Sequence, residues 1–489
     1  MRTRRILFIW EQEYMGITET LARFAVETPA GFMNEAMKDS ARMKFLDTIG
    51  IMVAGARHPS GKIAISLARK LGGKKQATLC GTSSQTSVEL AAFVNGVSAH
   101  ALEYDDYTRG VGHASVCLVP GCLAIAEAES TSGLAMLEAF TLGFEVTTRI
   151  AKGLRPKLIN NGWHPIGIVG GQGVAVAASR MMGMDQLKTR MAMGVMASSG
   201  GGVRKNVGSM GKAFHVGHGV KSGVLSALLA REGFIVDPDI IEGMDDVGEG
   251  HQRFGMADTF NGIGEYRLHL MTDRLGQDLE LGRNSTMIRM HPGSTAPGAA
   301  IDGVIAIATE NNLTATDVKE IIVECTPQCA AIAPYPEPTN EHRAKFCLPY
   351  TMSVAFLDRR VGLAQYSDKR IKDKKVLKFM ERITIQQPQD LSHHRGQWGE
   401  NGVNWAESRV TIKLKNGKEI RKTCSHSKGY PEDPVSWDEL MVKYQECTER
   451  AFAQSQIEET AQMIRGIDTL GNVRELAKAL IARPKTATR

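Results

Sequence analysis

The chain has few aromatics, no closely paired cysteines and no strong excess of either charge, and each shortage removes a class of function. Aromatic residues are 6% of the 489. Nucleic-acid binding needs clustered basic residues with exposed aromatics among them, and no such stripe occurs. Lys and Arg number 59 against 53 Asp and Glu, a balance of only +6. A solvated surface accounts for that balance, and so would an enzyme that handles small polyanions. The eight cysteines (Cys80, Cys117, Cys122, Cys325, Cys329, Cys347, Cys424 and Cys447) contain no Cys-x-x-Cys pair. A zinc ribbon or a Cys-rich iron–sulfur centre therefore has no support. Scattered thiols without a signal peptide read as the reduced cysteines of a cytoplasmic protein. The apolar stretch near the start stops at Glu11, too short for a secretory core. One uncharged run, Leu158 to Ser179, is long enough to ask about a membrane span. It holds Asn160, Asn161, His164, Pro165 and Gln172 besides its glycines, which hydrocarbon would penalise, so it reads as buried or site-lining.

What is present is ordinary soluble-protein composition, 43% hydrophobic and 23% charged, with 50 Gly and 23 Met. This suits closely packed helices, and the length suggests two or three domains. The first 14 residues read as an extension. From residue 15 to about 268 the pattern is helical. Ala41, Phe45, Ile49, Met52 and Ala56 recur at helical spacing, and Leu134 to Ile150 follows the cap candidates Thr131 and Ser132. Beyond that, Val318–Cys325 and Arg382–Gln386 read as strands. Alternating residues from Val410 to Arg421 flank Asn416-Gly417, a two-residue hairpin turn. Helices are predicted near 297–312 and 341–357. Residues 269–425 thus form a smaller α+β unit. The stretch 426–489 returns to helical periodicity from Trp437 to Ala482 and packs back on the first part. The fold class is mainly α.

Three segments carry candidate chemistry. The first, Ala101 to Ser115, gathers Glu103, Asp105, Asp106, Tyr107, Thr108 and His113 around a break at Gly110 and Gly112. It reads as a loop leaving a helix, where a scaffold presents side chains to a pocket. A histidine beside an ionised carboxylate can act as a general acid or base near neutral pH; the same spacing also fits an acidic surface turn. The second, Asn160-Asn-Gly-Trp-His164-Pro, fits the wall of a small pocket and equally a satisfied core histidine. The third, Gly208-Ser-Met-Gly-Lys212-Ala-Phe-His215-Val-Gly-His218, looks like a phosphate loop. Asn206 and Ala213 occupy the positions where that loop needs Gly and Ser or Thr, so ATP binding is rejected. What remains is a Gly-rich turn feeding a helix, with free N–H groups and Lys212 at its mouth, a site for a carboxylate. Lys212 and His215 share a helix face. His215 and His218 lack an evident third metal ligand, and no metal is expected. The glycines of Gly167–Gly173 are wrongly spaced for dinucleotide binding.

Taken in order, these segments resemble the MmgE/PrpD family, which includes 2-methylcitrate dehydratase and cis-aconitate decarboxylase. Further marks are Phe45-Leu-Asp-Thr-Ile-Gly50, Phe93-Val-Asn-Gly-Val-Ser-Ala-His100, Glu341-His-Arg-Ala-Lys-Phe346 and Tyr430-Pro-Glu-Asp-Pro434. The resemblance implies a large all-helical domain built from both chain ends, with an α+β lid inserted before the last helices. The active site would lie between the two. It also implies a homodimer and chemistry without metal or cofactor. His113, His164 and Lys212 fall on the family's active-site positions. Glu103, Asp105 and Asp106 fall on its carboxylate cluster, Tyr107 on a hydroxyl position and Tyr335 approximately on a lid tyrosine. His113, Lys212, His164 and Asp105 are thereby the expected catalytic set. Glu103, Asp106, Tyr107, Thr108, His215 and Tyr335 are the expected substrate-binding set. One departure stands out. Gly298 lies about where many members carry a lid histidine, and His291, seven residues earlier, is the candidate substitute. The expected function is a lyase that dehydrates or decarboxylates a small di- or tricarboxylate. A polycarboxylate epimerase and a non-catalytic metabolite-binding relative are the alternatives. No nucleic acid or membrane is expected as partner.

Overall fold

The computed structural model describes residues 16–242, 245–246, 252–283, 285–394 and 407–483; the expected N-terminal extension lies outside them. The described chain is mostly helical, with small sheets. Its helices begin where short polar side chains satisfy the free N–H groups of a first turn. Asn34 accepts from Met37 N and opens Glu35–Gly55, the helix read from Ala41 to Ala56. Ser132 accepts from Ala135 N and opens Gly133–Leu154. Ser436 and Glu439 cap each other reciprocally at the start of Trp437–Thr448.

The uncharged run becomes the helix Ile166–Met181, packed against Gly133–Leu154, Ser115–Glu129, Gln186–Ser199 and Met210–Arg231. Glycine permits close helix crossings here and at Val88–His100. A Cβ on Gly173 would collide with the Gly143 carbonyl and the Thr147 hydroxyl, and one on Gly217 would meet the Phe93 carbonyl at 2.7 Å. The second crossing sets the helix of Lys212 and His215 directly on Val88–His100. Among the described residues no helix is long and apolar enough to cross a membrane.

A four-stranded sheet is built in the order Glu419–Cys424, Ser408–Leu414, Val318–Cys325, Ile383–Gln386. The first two pairings are antiparallel and the last is parallel. The hairpin turns at Gly417, whose φ of 87° is the left-handed conformation glycine adopts without cost. The helix expected at 341–357 is in fact two, Glu341–Lys345 and Leu348–Asp358. Pro349 has no N–H to give to the carbonyl one turn back, so the helix restarts there.

The apolar interior forms two main clusters. The larger takes residues from Leu21 to Ile288 and again from Val435 to Leu480. The second runs from Ala296 to Leu414 and holds the four-stranded sheet. The chain therefore leaves one core, builds another and returns. The loop 101–114 lies against the outgoing segment, with Tyr107 and Thr108 paired antiparallel to Met287 and Thr286.

Candidate active site

Every backbone carbonyl from Leu102 to Asp106 accepts a hydrogen bond, the first four from donors outside the loop. Lys345 Nζ donates to Leu102 O at 2.9 Å, and Gly293 N donates to Glu103 O at 2.7 Å. Lys443 Nζ donates to Tyr104 O at 2.7 Å, and Arg289 Nε donates to Asp105 O. His113 Nδ1 completes the series on Asp106 O at 2.9 Å. Glu103 takes a φ of 55°, unusual for a residue with a Cβ. Such a conformation costs on the order of 1–3 kcal/mol and persists only where its surroundings impose it. Donors from the second core, the linker and the last helices thus fix one acidic loop.

The side chains of that loop converge with those of two helices. Asp105 has no exposed surface. Its Oδ2 lies 2.7 Å from His113 Nδ1 and 3.1 Å from His100 Nδ1, and Arg289 Nη2 donates to its Oδ1 at 2.8 Å. Burial opposes the charge on Asp105, but His100, His113 and Arg289 outweigh it and hold the carboxyl well below its usual range. Since His113 Nδ1 donates to Asp106 O, its Nε2 carries the lone pair. Burial pushes the imidazole down to about 4 against the opposing pull of Asp105. His113 is accordingly a neutral, oriented base at pH 7.

His100 is the centre of an imidazole row and carries no local sign of that role beyond standing five residues before Asp105. Its ring centroid is 4.8 Å from that of His113 and 5.9 Å from that of His164. His164 Nδ1 in turn lies 3.2 Å from His215 Nδ1. Burial first, and then the electrostatic influence of His100, keeps both His164 and His215 below the ordinary histidine range. Lys212, on the same helix as His215, pairs with Glu103. Burial works against that carboxylate, but Lys212, His100 and Arg289 bring it down to about 2. The ammonium, the carboxylate and the row of imidazoles therefore share one locus. Tyr107 sets its ring edge-on to His113, 5.3 Å between centroids.

Other expected residues are placed differently. Asp106 turns its carboxyl inward, where Ser115 donates to Oδ2, and burial raises it to about 7. It holds His113 through its backbone carbonyl, while its side chain, expected to bind substrate, faces Ser115. Thr108 shares a 3.0 Å hydrogen bond with Thr286 inside the strand pair. His218 faces the Ser199 carbonyl at 3.2 Å and diverges from His215. His291 engages Asp302 through Nε2 at 2.8 Å and the Val361 carbonyl through Nδ1 at 3.1 Å. Both its nitrogens are committed to groups outside the acidic loop. Tyr335 packs under Arg343, 5.2 Å from its ring.

Arg289, Lys443 and Lys345 escaped sequence reading because their partners are remote; Lys443 is 339 residues from Tyr104. His100, Asp105 and His113 offer ligand atoms within 4.8 Å of one another and could hold a metal ion by distance. The Arg289 guanidinium on the same carboxylate and the proton on His113 Nδ1 oppose a cation there.

Two family models match the chain: the MmgE/PrpD N-terminal domain over residues 19–255 and the MmgE/PrpD C-terminal domain over residues 291–469. The chain belongs to the MmgE/PrpD family. Its relatives in the family include cis-aconitate decarboxylase of Homo sapiens, 24% identical over 93% of this chain and 92% of that protein. The enzyme of the same name from Mus musculus is 24% identical over 80% and 78%. That of Aspergillus terreus is 22% identical over 95% and 96%. The boundary between the two family models lies close to Arg289, where the acidic loop meets the outgoing chain.

Proposed function

We propose that the protein is a cofactor-independent lyase acting on a small di- or tricarboxylate, with decarboxylation of cis-aconitate or a close analogue as its reaction. The observation that carries this reading is His113, neutral and oriented by Asp105, in the same locus as the Lys212–Glu103 pair. Lys212 and the adjacent turn hold substrate carboxylates beside the buried imidazoles. In decarboxylation the bond from carbon to carboxylate breaks, its electron pair stays on carbon and carbon dioxide leaves. The carbon then takes a proton from an imidazolium. Binding a polyanion raises the proton affinity of the nearby imidazoles, so His113 or His164 can be charged in the complex although neutral without it. In dehydration His113 would instead remove a proton from carbon while a second acid protonates the departing hydroxyl.

The second reading is an epimerase, which removes and returns a proton at one carbon. It is favoured by the presence of two low-pKa imidazoles, His113 and His164, on either side of His100. Incubation with cis-aconitate, 2-methylcitrate, citrate and iminodisuccinate in deuterated water separates the reactions. Carbon dioxide release supports decarboxylation, an unsaturated acid dehydration, and deuterium uptake without net conversion epimerisation. No turnover of any of the four contradicts the lyase reading and favours a binding role.

The architecture we attach to this function is a helical domain of residues 15–268 and 426–489 with a lid of residues 269–425, whose first stretch, to Ile288, packs on the larger core, in a cytoplasmic homodimer. Support for the dimer is the exposed apolar run Val203, Val207, Met210 and Phe214, each 44–58% exposed, beside Lys212. Light scattering on the eluted protein tests it: one copy per particle rejects the dimer.

A further inference from the structure

The second core brings a different imidazole to the site from the one the sequence offered. His342, on the short helix Glu341–Lys345, rests over Gly208, in the turn that leads to Lys212. A Cβ on Gly208 would stand 3.2 Å from His342 Nε2, so the missing side chain at 208 is what makes room for the ring. The ring lies edge-on to Tyr335, 5.9 Å between centroids, and 5.0 Å from Phe346. These aromatic contacts fix its plane and leave its nitrogens unclaimed. Among the described residues neither nitrogen has a hydrogen-bond partner. Glu103, Lys345, Lys212 and Glu341 all act on it electrostatically, and it is half-buried. The anchoring is firm, since Lys345, three residues on, reaches Leu102 O and Glu341 together. His291, by contrast, has both nitrogens occupied.

A half-buried imidazole with free nitrogens, held beside an ammonium that is already paired with a carboxylate, has one evident use. We propose that His342 is a specificity-determining residue that donates a hydrogen bond to a substrate carboxylate lying against the Lys212–Glu103 pair. Its ligand class is a polycarboxylate with an acidic group beyond the reacting carbon. This rests on the polycarboxylate reading above but not on which bond is broken.

The test is calorimetric binding of tricarballylate, a saturated tricarboxylate with no double bond to react, to the wild-type chain, His342→Ala and His342→Gln. Loss of a hydrogen bond to a charged group predicts binding weakened about 10–100-fold in His342→Ala. His342→Gln, which keeps an N–H donor, recovers part of it. In turnover the loss appears in KM, with kcat changed by less than about threefold. Wild-type binding together with equal affinity in His342→Ala overturns the role of His342 alone. Absence of wild-type binding overturns the polycarboxylate reading and this inference together. Equal weakening in both variants marks a structural role and also overturns it.

Discussion

His113 Nδ1 sits 2.7 Å from Oδ2 of Asp105, a carboxylate with no exposed surface, and donates to the carbonyl of the next residue. The pair fixes both the tautomer and the direction of the ring. Asp105→Asn removes the charge and keeps the volume. It is expected to lower turnover about 100-fold or more, the scale of a misoriented general acid–base. The sign of the pH effect also follows. Asp105 raises the affinity of His113 for its proton, so with the His113 imidazolium as the proton donor the alkaline limb of kcat moves to lower pH in the variant. Steady-state kinetics from pH 3.5 to 8 checks both expectations.

Lys212 is the ammonium of the site and Glu103 its partner. Lys212→Ala leaves the Glu103 carboxylate without its ammonium partner and removes the charge proposed to receive substrate. Turnover is expected to fall by about 100-fold or more. Activity near the wild-type value would remove Lys212 from the mechanism.

Lys443 ties the last helices to the site, since its Nζ lies 2.6 Å from Asp47 and also donates to Tyr104 O and Arg289 O. Both charges are buried. Lys443→Met strands the Asp47 carboxylate and is expected to cost about 3–5 kcal/mol. Lys443→Met combined with Asp47→Leu recovers most of that stability. Denaturant midpoints of the three proteins decide the matter.

Asp106 gives a pH-dependent stability of defined sign. Burial raises its carboxyl from 3.8 to about 7. The folded state thus binds this proton more tightly than the unfolded chain. The contribution is fully present below about pH 4 and is lost as the pH rises toward 7. Asp106→Asn carries no such dependence. Its melting temperature relative to wild type is expected to climb between pH 4 and 8, by at least about 2–4 °C. A constant difference across that range contradicts a buried, raised carboxyl.

The parts of the fold visible in the sequence are those set by neighbours along the chain. Asn416-Gly417 dictates its own turn, Ser132 caps its own helix, and the strand at Val318–Cys325 alternates within eight residues. The site was visible to the same extent. Asp105 and His113 are close in sequence and meet in space, and Lys212 follows its own glycine turn. The remainder depends on long-range packing. Nothing local tells Arg289 to claim Asp105, or His291 to prefer Asp302. His342 passes as an ordinary helix residue until Gly208 is seen beneath it. Asp106 and Thr108 share a string with Asp105 and Tyr107. At Tyr107–Thr108 strand alternation turns the two side chains to opposite sides, and that parity is invisible before the pairing with Thr286–Met287 is known.

The Arg289 guanidinium on Asp105 implies that the three potential ligands work without a cation. Dialysis against a chelator is expected to leave turnover within about twofold, whereas a metal-dependent site would lose it. Restoration by an added divalent ion would reassign His100, Asp105 and His113 as ligands.

The most direct measurement is carbon-13 NMR of labelled cis-aconitate incubated with the wild-type chain and with His113→Ala at equal concentration. With His113 moving the proton, the wild type releases one carbon dioxide per acid consumed and His113→Ala does so at least about 100-fold more slowly. Equal rates from the two proteins would contradict it.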